Sequence, residues 1–169
     1  LMGHDAGRYI TTGSRNTGVG YGALDGCTTS GDNTAMGNNA LGGSCTGIDN
    51  SAFGSGALVV CSTGAENTAI GSGALDALTT GDRNTALGMQ CLQTMSSATT
   101  ADTNNTGVGF QAGLLMTTGT NNTCVGSKAL RDATTGSINT AIGVSAMENC
   151  TTGGQNVAVG RALWLNSLT

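Results

Sequence analysis

The chain repeats itself every 17 residues, and that period limits its fold more than any other feature. A core of the form Asn-Thr-Ala-apolar-Gly recurs nine times, as in NTAMG, NTAIG, NTALG and NVAVG. The Asn falls at Asn16, Asn33, Asn50, Asn67, Asn84, Asn105, Asn122, Asn139 and Asn156. Every step is 17 residues except Asn84 to Asn105, which is 21 and so carries a four-residue insertion at about residues 96–103. Four residues after each Asn stands a Gly, from Gly20 to Gly160. The residue before that Gly is always apolar: Val19, Met36, Phe53, Ile70, Leu87, Val108, Val125, Ile142 and Val159. Self-similarity at a fixed period along a whole chain marks a solenoid, in which each unit buries its apolar face only against its neighbours.

Composition agrees with a thin, stacked core and removes several functional classes. Aromatics are 3% of the chain, charged residues 9%, proline is absent and glycine supplies 29 residues. Such a mixture borders on low-complexity disorder, but disorder gives no reason to place an aliphatic residue every 17 positions. The net charge is −4, and no basic cluster interleaved with aromatics exists, so the electrostatic footprint of a nucleic-acid binder is missing. No run of 18 apolar residues is present to span a membrane as a helix. Residues 2–13 align with residues 108–119, so residue 1 enters in the middle of a tenth unit. The expectation is a piece of a longer array.

Asn67 to Thr80, NTAIGSGALDALTT, is the cleanest unit. Its first half predicts a short strand in which Thr68 and Ile70 share one face and Ala69 takes the other. Val157 replaces the Thr in the last unit, next to Val159, which places the Thr column with the core. Gly71 suits a turn whose dihedrals or packing exclude a Cβ. In the second half, Ala74, Leu75 and Leu78 have the spacing of one helical turn, repeated as Ala23, Leu24, Cys27 and as Ala57, Leu58, Cys61. Gly81 is then available as a left-handed C-terminal cap. A second strand with a corner is the alternative.

The expected fold is therefore an all-β solenoid, a parallel β-roll or β-helix with 17-residue rungs and one short helical turn per rung. One strand per rung at about 4.8 Å would make a rod roughly 40 Å long from nine rungs. Like residues align in columns, and the nine Asn predict a ladder of side-chain amides, as in stacked cross-β structures.

The NTAIG and NVAVG cores resemble the head repeats of trimeric autotransporter adhesins, whose motif is similar to Asn-Ser-Val-Ala-Ile-Gly. They resemble still more the Gly/Asn/Thr-rich repeat arrays in fibre proteins of phages and large algal viruses, where strings such as NTAIGxxAL and TTGxxNTAIG recur. The resemblance runs from Met2 to about Trp164. It implies a β-roll or β-helix, usually homotrimeric, displayed outside a cell or virion and used for attachment. The longer period of this chain, with its added GxxALxxL portion, departs from the adhesin heads.

Chemistry-bearing residues are few. His4 beside Asp5 is the sole histidine, and no Ser, Cys or second His stands in a consistent relation to it, as general acid–base catalysis would require. The expectation is no enzyme and no cofactor. Cys27 and Cys61 share a column two rungs apart, roughly 10 Å, too far for a bond, while Cys45 lies between them and could pair with either. Cys91, Cys124 and Cys150 read as small buried apolar residues, and no zinc-type Cys/His spacing occurs. The residue before Asn runs Arg15, Asp32, Asp49, Glu66 and Arg83, so the carboxylates Asp32, Asp49 and Glu66 stack on successive rungs. Screening by the arginines, or a hard cation such as Ca²⁺, would relieve their repulsion. The Arg131 and Glu148 pair, one rung apart, reads as a surface ion pair worth little. The insertion at 96–103 is the one break in the pattern, and solenoid insertions emerge as loops on one face.

These readings predict a structural and adhesive extracellular fibre segment on a virion, phage or cell surface. It would self-associate as a trimer or filament, present elements to a host-surface glycan or protein receptor, and bind neither nucleic acid nor membrane interior. An ice-binding Thr-rich solenoid is the alternative, with paired Thr at Thr11-Thr12, Thr28-Thr29, Thr79-Thr80, Thr117-Thr118, Thr134-Thr135 and Thr151-Thr152. Against it, adjacent Thr on a strand point opposite ways, and the Thr of the NTAIG core is placed inward. A carbohydrate-active β-helix would need a clustered set of acidic and basic residues that the columns lack.

Overall fold

The computed structural model of the protein describes residues 1–96 and 102–162. Trp164 and the middle of the insertion lie outside the described residues. Each unit contributes one three-residue strand: β1 Thr17–Val19, β2 Thr34–Met36, β3 Ser51–Phe53, β4 Thr68–Ile70, β5 Thr85–Leu87, β6 Thr106–Val108, β7 Thr123–Val125, β8 Thr140–Ile142 and β9 Val157–Val159. They form one parallel sheet in chain order, β1 to β9. Register follows the repeat: Thr68 pairs with Thr85, Ala69 with Ala86 and Ile70 with Leu87. The array is a parallel β-solenoid with one strand per rung. Residues before β1 begin the stack, with Met2 bridged to Val19.

The inside of the sheet is the Ala column. Ala35, Ala52, Ala69, Ala86 and Ala141 are fully buried, whereas Met36, Ile70, Leu87 and Ile142 are about two-fifths exposed. This corrects the placement of Thr68 and Ile70 toward the core. They do share a face, but it is the outer one. The cross-section is too thin for Ile on the inside, because the turn half of the rung already brings Ala74, Leu75 and Leu78 inward, all fully buried.

No helical turn occurs there, and this is a second correction. In the unit of Ala23 and Leu24, β-turns close through Ala23 N–H to Gly20 C=O, Asp25 N–H to Gly22 C=O and Cys27 N–H to Leu24 C=O. The intervening N–H groups leave the rung, with Gly22 donating to His4 C=O, Leu24 to Ala40 C=O and Gly26 to Gly42 C=O. Alternate amides thus serve the turn and the neighbouring rung, which satisfies the buried backbone without a helix. The i, i+3 spacing that suggested a helix is the spacing of successive β-turns.

Backbone conformation explains which positions are variable. The column of Gly20, Gly71 and Gly160 holds φ between +128 and +140, a region closed to L side chains. A Cβ on Gly71 would lie 2.5 Å from the backbone of Gly88. Three further columns are left-handed near +50 to +65: those of Gly22, of Leu24 and of Arg15. L residues with unbranched Cβ atoms enter that region at modest cost, so these columns also carry Asn39, Gln90, Lys128, Leu75 and Glu66. Gly81 is not among the left-handed residues, so it caps nothing; its carbonyl instead accepts from the Asn67 amide.

Core substitutions come in compensating sets. Cys91 takes an Ala position, and opposite it Gly107 takes another, where a Cβ would lie 2.5 Å from the Cys91 Sγ. Gly113 stands where other rungs have Leu, and a Cβ there would meet Leu92 at 2.6 Å and the Cys124 Sγ at 3.3 Å. Volume is conserved across neighbouring rungs, as close packing demands.

Candidate functional site

The Asn column is buried at the corner where each rung enters its strand; Asn33, Asn50, Asn67, Asn84 and Asn105 are fully enclosed. Each Oδ1 accepts the backbone N–H of the next Asn, from Asn33 to Asn16 at 3.0 Å through Asn156 to Asn139 at 3.1 Å. From Asn67 onward the Nδ2 groups also reach the preceding Oδ1, at 3.1 Å for Asn67 to Asn50 and for Asn156 to Asn139. The same amide spans the rung to a Gly carbonyl, 2.8 Å from Asn50 to Gly64 and from Asn122 to Gly136. The side chain therefore ties three backbone segments together, which is more than an amide-to-amide ladder. Asp would lose the donor, and Gln would not fit the reach. The column continues across the insertion, where Asn105 N–H donates to Asn84 Oδ1 at 3.0 Å. There the buried Thr103 hydroxyl replaces the Gly carbonyl, accepting from Asn84 Nδ2 and donating to Asp82 C=O.

The outer face of the nine-stranded sheet is a regular surface. It carries Thr17, Thr34, Ser51, Thr68, Thr85, Thr106, Thr123 and Thr140 in one column and the apolar residues from Val19 to Val159 in the next. No charged residue enters either column. Two threonine populations separate here. Turn hydroxyls are engaged between rungs, with Thr11 donating to Thr28 C=O and Thr117 to Thr134 C=O, both at 3.0 Å. The strand hydroxyls make no hydrogen bond within the described residues.

In the carboxylate column, arginines engage two of the three members. Asp32 is gripped by Arg15 through its Nε and Nη2, and Glu66 lies 3.1 Å from Arg83. Arg83 also reaches Asp102 at the end of the insertion, 2.5 Å away. Hydrogen bonding to Arg15 holds the Asp32 carboxyl below its ordinary range. Asp49 stands in the same column and adds to the field that raises Arg15. Among the described residues, no group of three or more His, Cys, Asp or Glu is arranged to hold a metal ion. Arg131 pairs with both Asp132, at 2.7 Å, and Glu148. The left-handed backbone of this charge column left a fainter trace in the sequence: no glycine occurs in it, but Asp32, Asp49, Asn104 and Asn121 do.

All six cysteines are free and buried, so neither Cys27–Cys45 nor Cys45–Cys61 is bonded. Cys45 reaches the core by a local slip: it is buried in place of Ser44, which is exposed. Interaction with the Cys45 sulfur, followed by burial, raises the thiols of Cys27 and Cys61, which donate to the Leu41 and Gly64 carbonyls as Cys45 donates to that of Gly47. Cys91 is pushed up to about 12 by burial. Buried thiols of this kind behave as small apolar residues.

His4 does meet Asp5, Nδ1 to Oδ2 at 2.9 Å, on an exposed turn of the first rung. Its ring stacks on Tyr21, with centroids 5.5 Å apart. Of the insertion, only Ser96, Asp102 and Thr103 are described. No helix among the described residues is long and apolar enough to cross a membrane. Comparison of the chain with protein-family models, curated proteins and solved structures finds no match to any of them.

Proposed function

We propose that this chain is shaft: a rigid segment of an extracellular fibre, on a virion, phage or cell surface, that spaces or presents elements for attachment to a host glycan or protein. The observation that carries the reading is the uncharged outer column from Val19 to Val159, whose members such as Ile70 and Leu87 stay about two-fifths exposed. A continuous apolar stripe on a soluble surface calls for a partner. A second copy of the chain suits it, because only another solenoid of this period offers a matching apolar residue at every rung. Three copies around an axis would cover three such stripes. The Asn column and the shared backbone ladder supply the stiffness, and ion pairs of Arg8, Arg15, Arg83 and Arg131 add surface links between neighbouring rungs. Sedimentation equilibrium tests the proposal: a trimer that dissociates on Ile70→Lys is expected, and a monomer at all concentrations would overturn it.

One observation favours a second reading. The strand threonines face outward in an in-register column with unpartnered hydroxyls, which removes the objection that they lie in the core. An ordered hydroxyl array beside an aliphatic column could bind ice. Thermal hysteresis from a monomeric form, lost on Thr85→Tyr, would transfer the outer face from self-association to ice.

A further inference from the structure

Both tyrosines and the sole histidine lie within the first 21 residues. On the next rungs the same columns carry small residues, with Asn38, Ser55 and Ser72 after His4 and Tyr21 and with Gly26 and Gly43 after Tyr9; larger ones return further on, at Met89 and Phe110 and at Val60 and Leu115. With short side chains on the rungs that follow, the aromatic and charged residues of the first two rungs form a contiguous exposed patch. The His4 and Tyr21 rings are nearly parallel, 9° apart, and Tyr21 is 54% exposed. Asp5 joins His4 to Arg8, whose guanidinium lies 3.3 Å from Asp5 Oδ1. Arg8 continues to Asp25 on the next rung at 3.0 Å and lies 4.6 Å over the Tyr9 ring. Asp25 Oδ1 is buried and has no hydrogen-bond partner. The ring of Tyr21 that His4 leaves free faces the rung of Asn38 and Asn39, and Asn39 leans over Gly22, where a Cβ would meet its Oδ1 at 2.3 Å.

We infer that this patch is a binding site for a neutral pyranose. Resting on the attachment reading for its purpose, it stands on its own residues for its chemistry. A pyranose presents an apolar C–H face and a rim of vicinal hydroxyls. The electron-rich face of Tyr21 attracts polarised C–H groups, and the ring tolerates exposure because its hydroxyl stays wet. Beside it stand acceptors on Asp5 and on Asp25 Oδ2, held in place by Arg8, donors on Arg8 itself, and amides of Asn38 and Asn39 that both donate and accept. Arg8 is already neutralised by two carboxylates, so a phosphate or a sialic-type carboxylate would meet net negative charge. A neutral polyol meets none.

Titration with methyl β-galactopyranoside and methyl β-glucopyranoside, followed through the ring proton signals of His4, Tyr9 and Tyr21, tests the site. Saturable shifts are expected for at least one of them, with a dissociation constant of about 1–10 mM, the order for a single weakly held sugar. Tyr21→Ala should weaken binding at least tenfold without changing the melting temperature, and Tyr21→Phe should largely retain it. No shift with either sugar, or equal shifts in wild type and Tyr21→Ala, overturns the proposal. Retention on an immobilised neutral oligosaccharide more strongly than the monosaccharide competes would support a surface glycan; equal affinity would support a free sugar. The two readings fail separately: a monomeric rod that binds the pyranoside defeats the fibre alone, and a trimer that ignores it defeats only the patch.

Discussion

The two halves of each rung solve the same problem by different means. In the strand half, Asn, an outward Thr, an inward Ala, an outward aliphatic residue and Gly are repeated with little variation. In the turn half, the residue after Gly varies among Tyr21, Asn38, Ser55, Met89, Phe110 and Val144. The difference lies in how much each residue is asked to do. Asn67 bonds Asn50 above and the Gly81 carbonyl across the rung, and its Oδ1 receives the Asn84 N–H. A turn residue answers only to its own dihedral and to one alternate amide. Where one side chain serves several backbone segments, the repeat is rigid; where the backbone serves itself, the side chain is free to change.

Replacing Asn67 with Leu should break the contrast most severely. It strands the buried Asn84 N–H and the Gly81 carbonyl, and should destabilise by about 4 kcal/mol, read as a fall in the urea midpoint. Two glycines of one rung then sharpen it. Gly71→Ala forces a Cβ onto the Gly88 backbone at φ +133 and should lose about 3 kcal/mol. Gly73→Asn, two residues on, has φ +66 and its nearest neighbour 3.4 Å away, and should stay within about 0.5 kcal/mol of wild type. Equal losses at the two sites would show that the turn half is as constrained as the strand half. Ile138 is a β-branched residue at φ +62, in a column elsewhere filled by unbranched side chains. Ile138→Asn should therefore raise stability by about 1 kcal/mol.

The smallest effect is electrostatic. Arg15 depresses the Asp32 carboxyl below its ordinary value of 3.8, so the folded pKa lies under the unfolded one. The stabilisation is complete above that ordinary value and disappears as pH falls through the depressed one. Arg15→Ala should flatten this part of the acid limb while leaving stability at pH 7 nearly unchanged, as an exposed pair should.

Much of this architecture could be read from the period. The spacing of Asn16 through Asn156 gives one strand per rung, parallel order and register, because identical residues can align only if the chain advances one unit per turn. The insertion between Asn84 and Asn105 was equally plain. What misled was orientation. Thr68 and Ile70 alternate correctly with Ala69, yet a three-residue strand gives no sign of which side is inside, and Val157 seemed to vote for the core. Leu75 and Leu78 have helical spacing, but the same spacing arises when β-turns follow one another. Mixed Gly, Asn, Gln and Lys in the Gly22 column carried a signal for left-handed backbone that could have excluded the helix. The Arg15 column carried a weaker form of the same signal in Asp32, Asp49, Asn104 and Asn121.

By itself, then, the sequence determined the solenoid, its register and its stacked Asn column, since all three follow from repetition. Only the tertiary structure decided which face of the strand turns inward, how Arg15 and Arg83 divide the carboxylates, and that Cys45 rather than Ser44 enters the core. Those outcomes depend on the width of the cross-section and on contacts between rungs. A period states that the rungs match; the space left between them settles what points where.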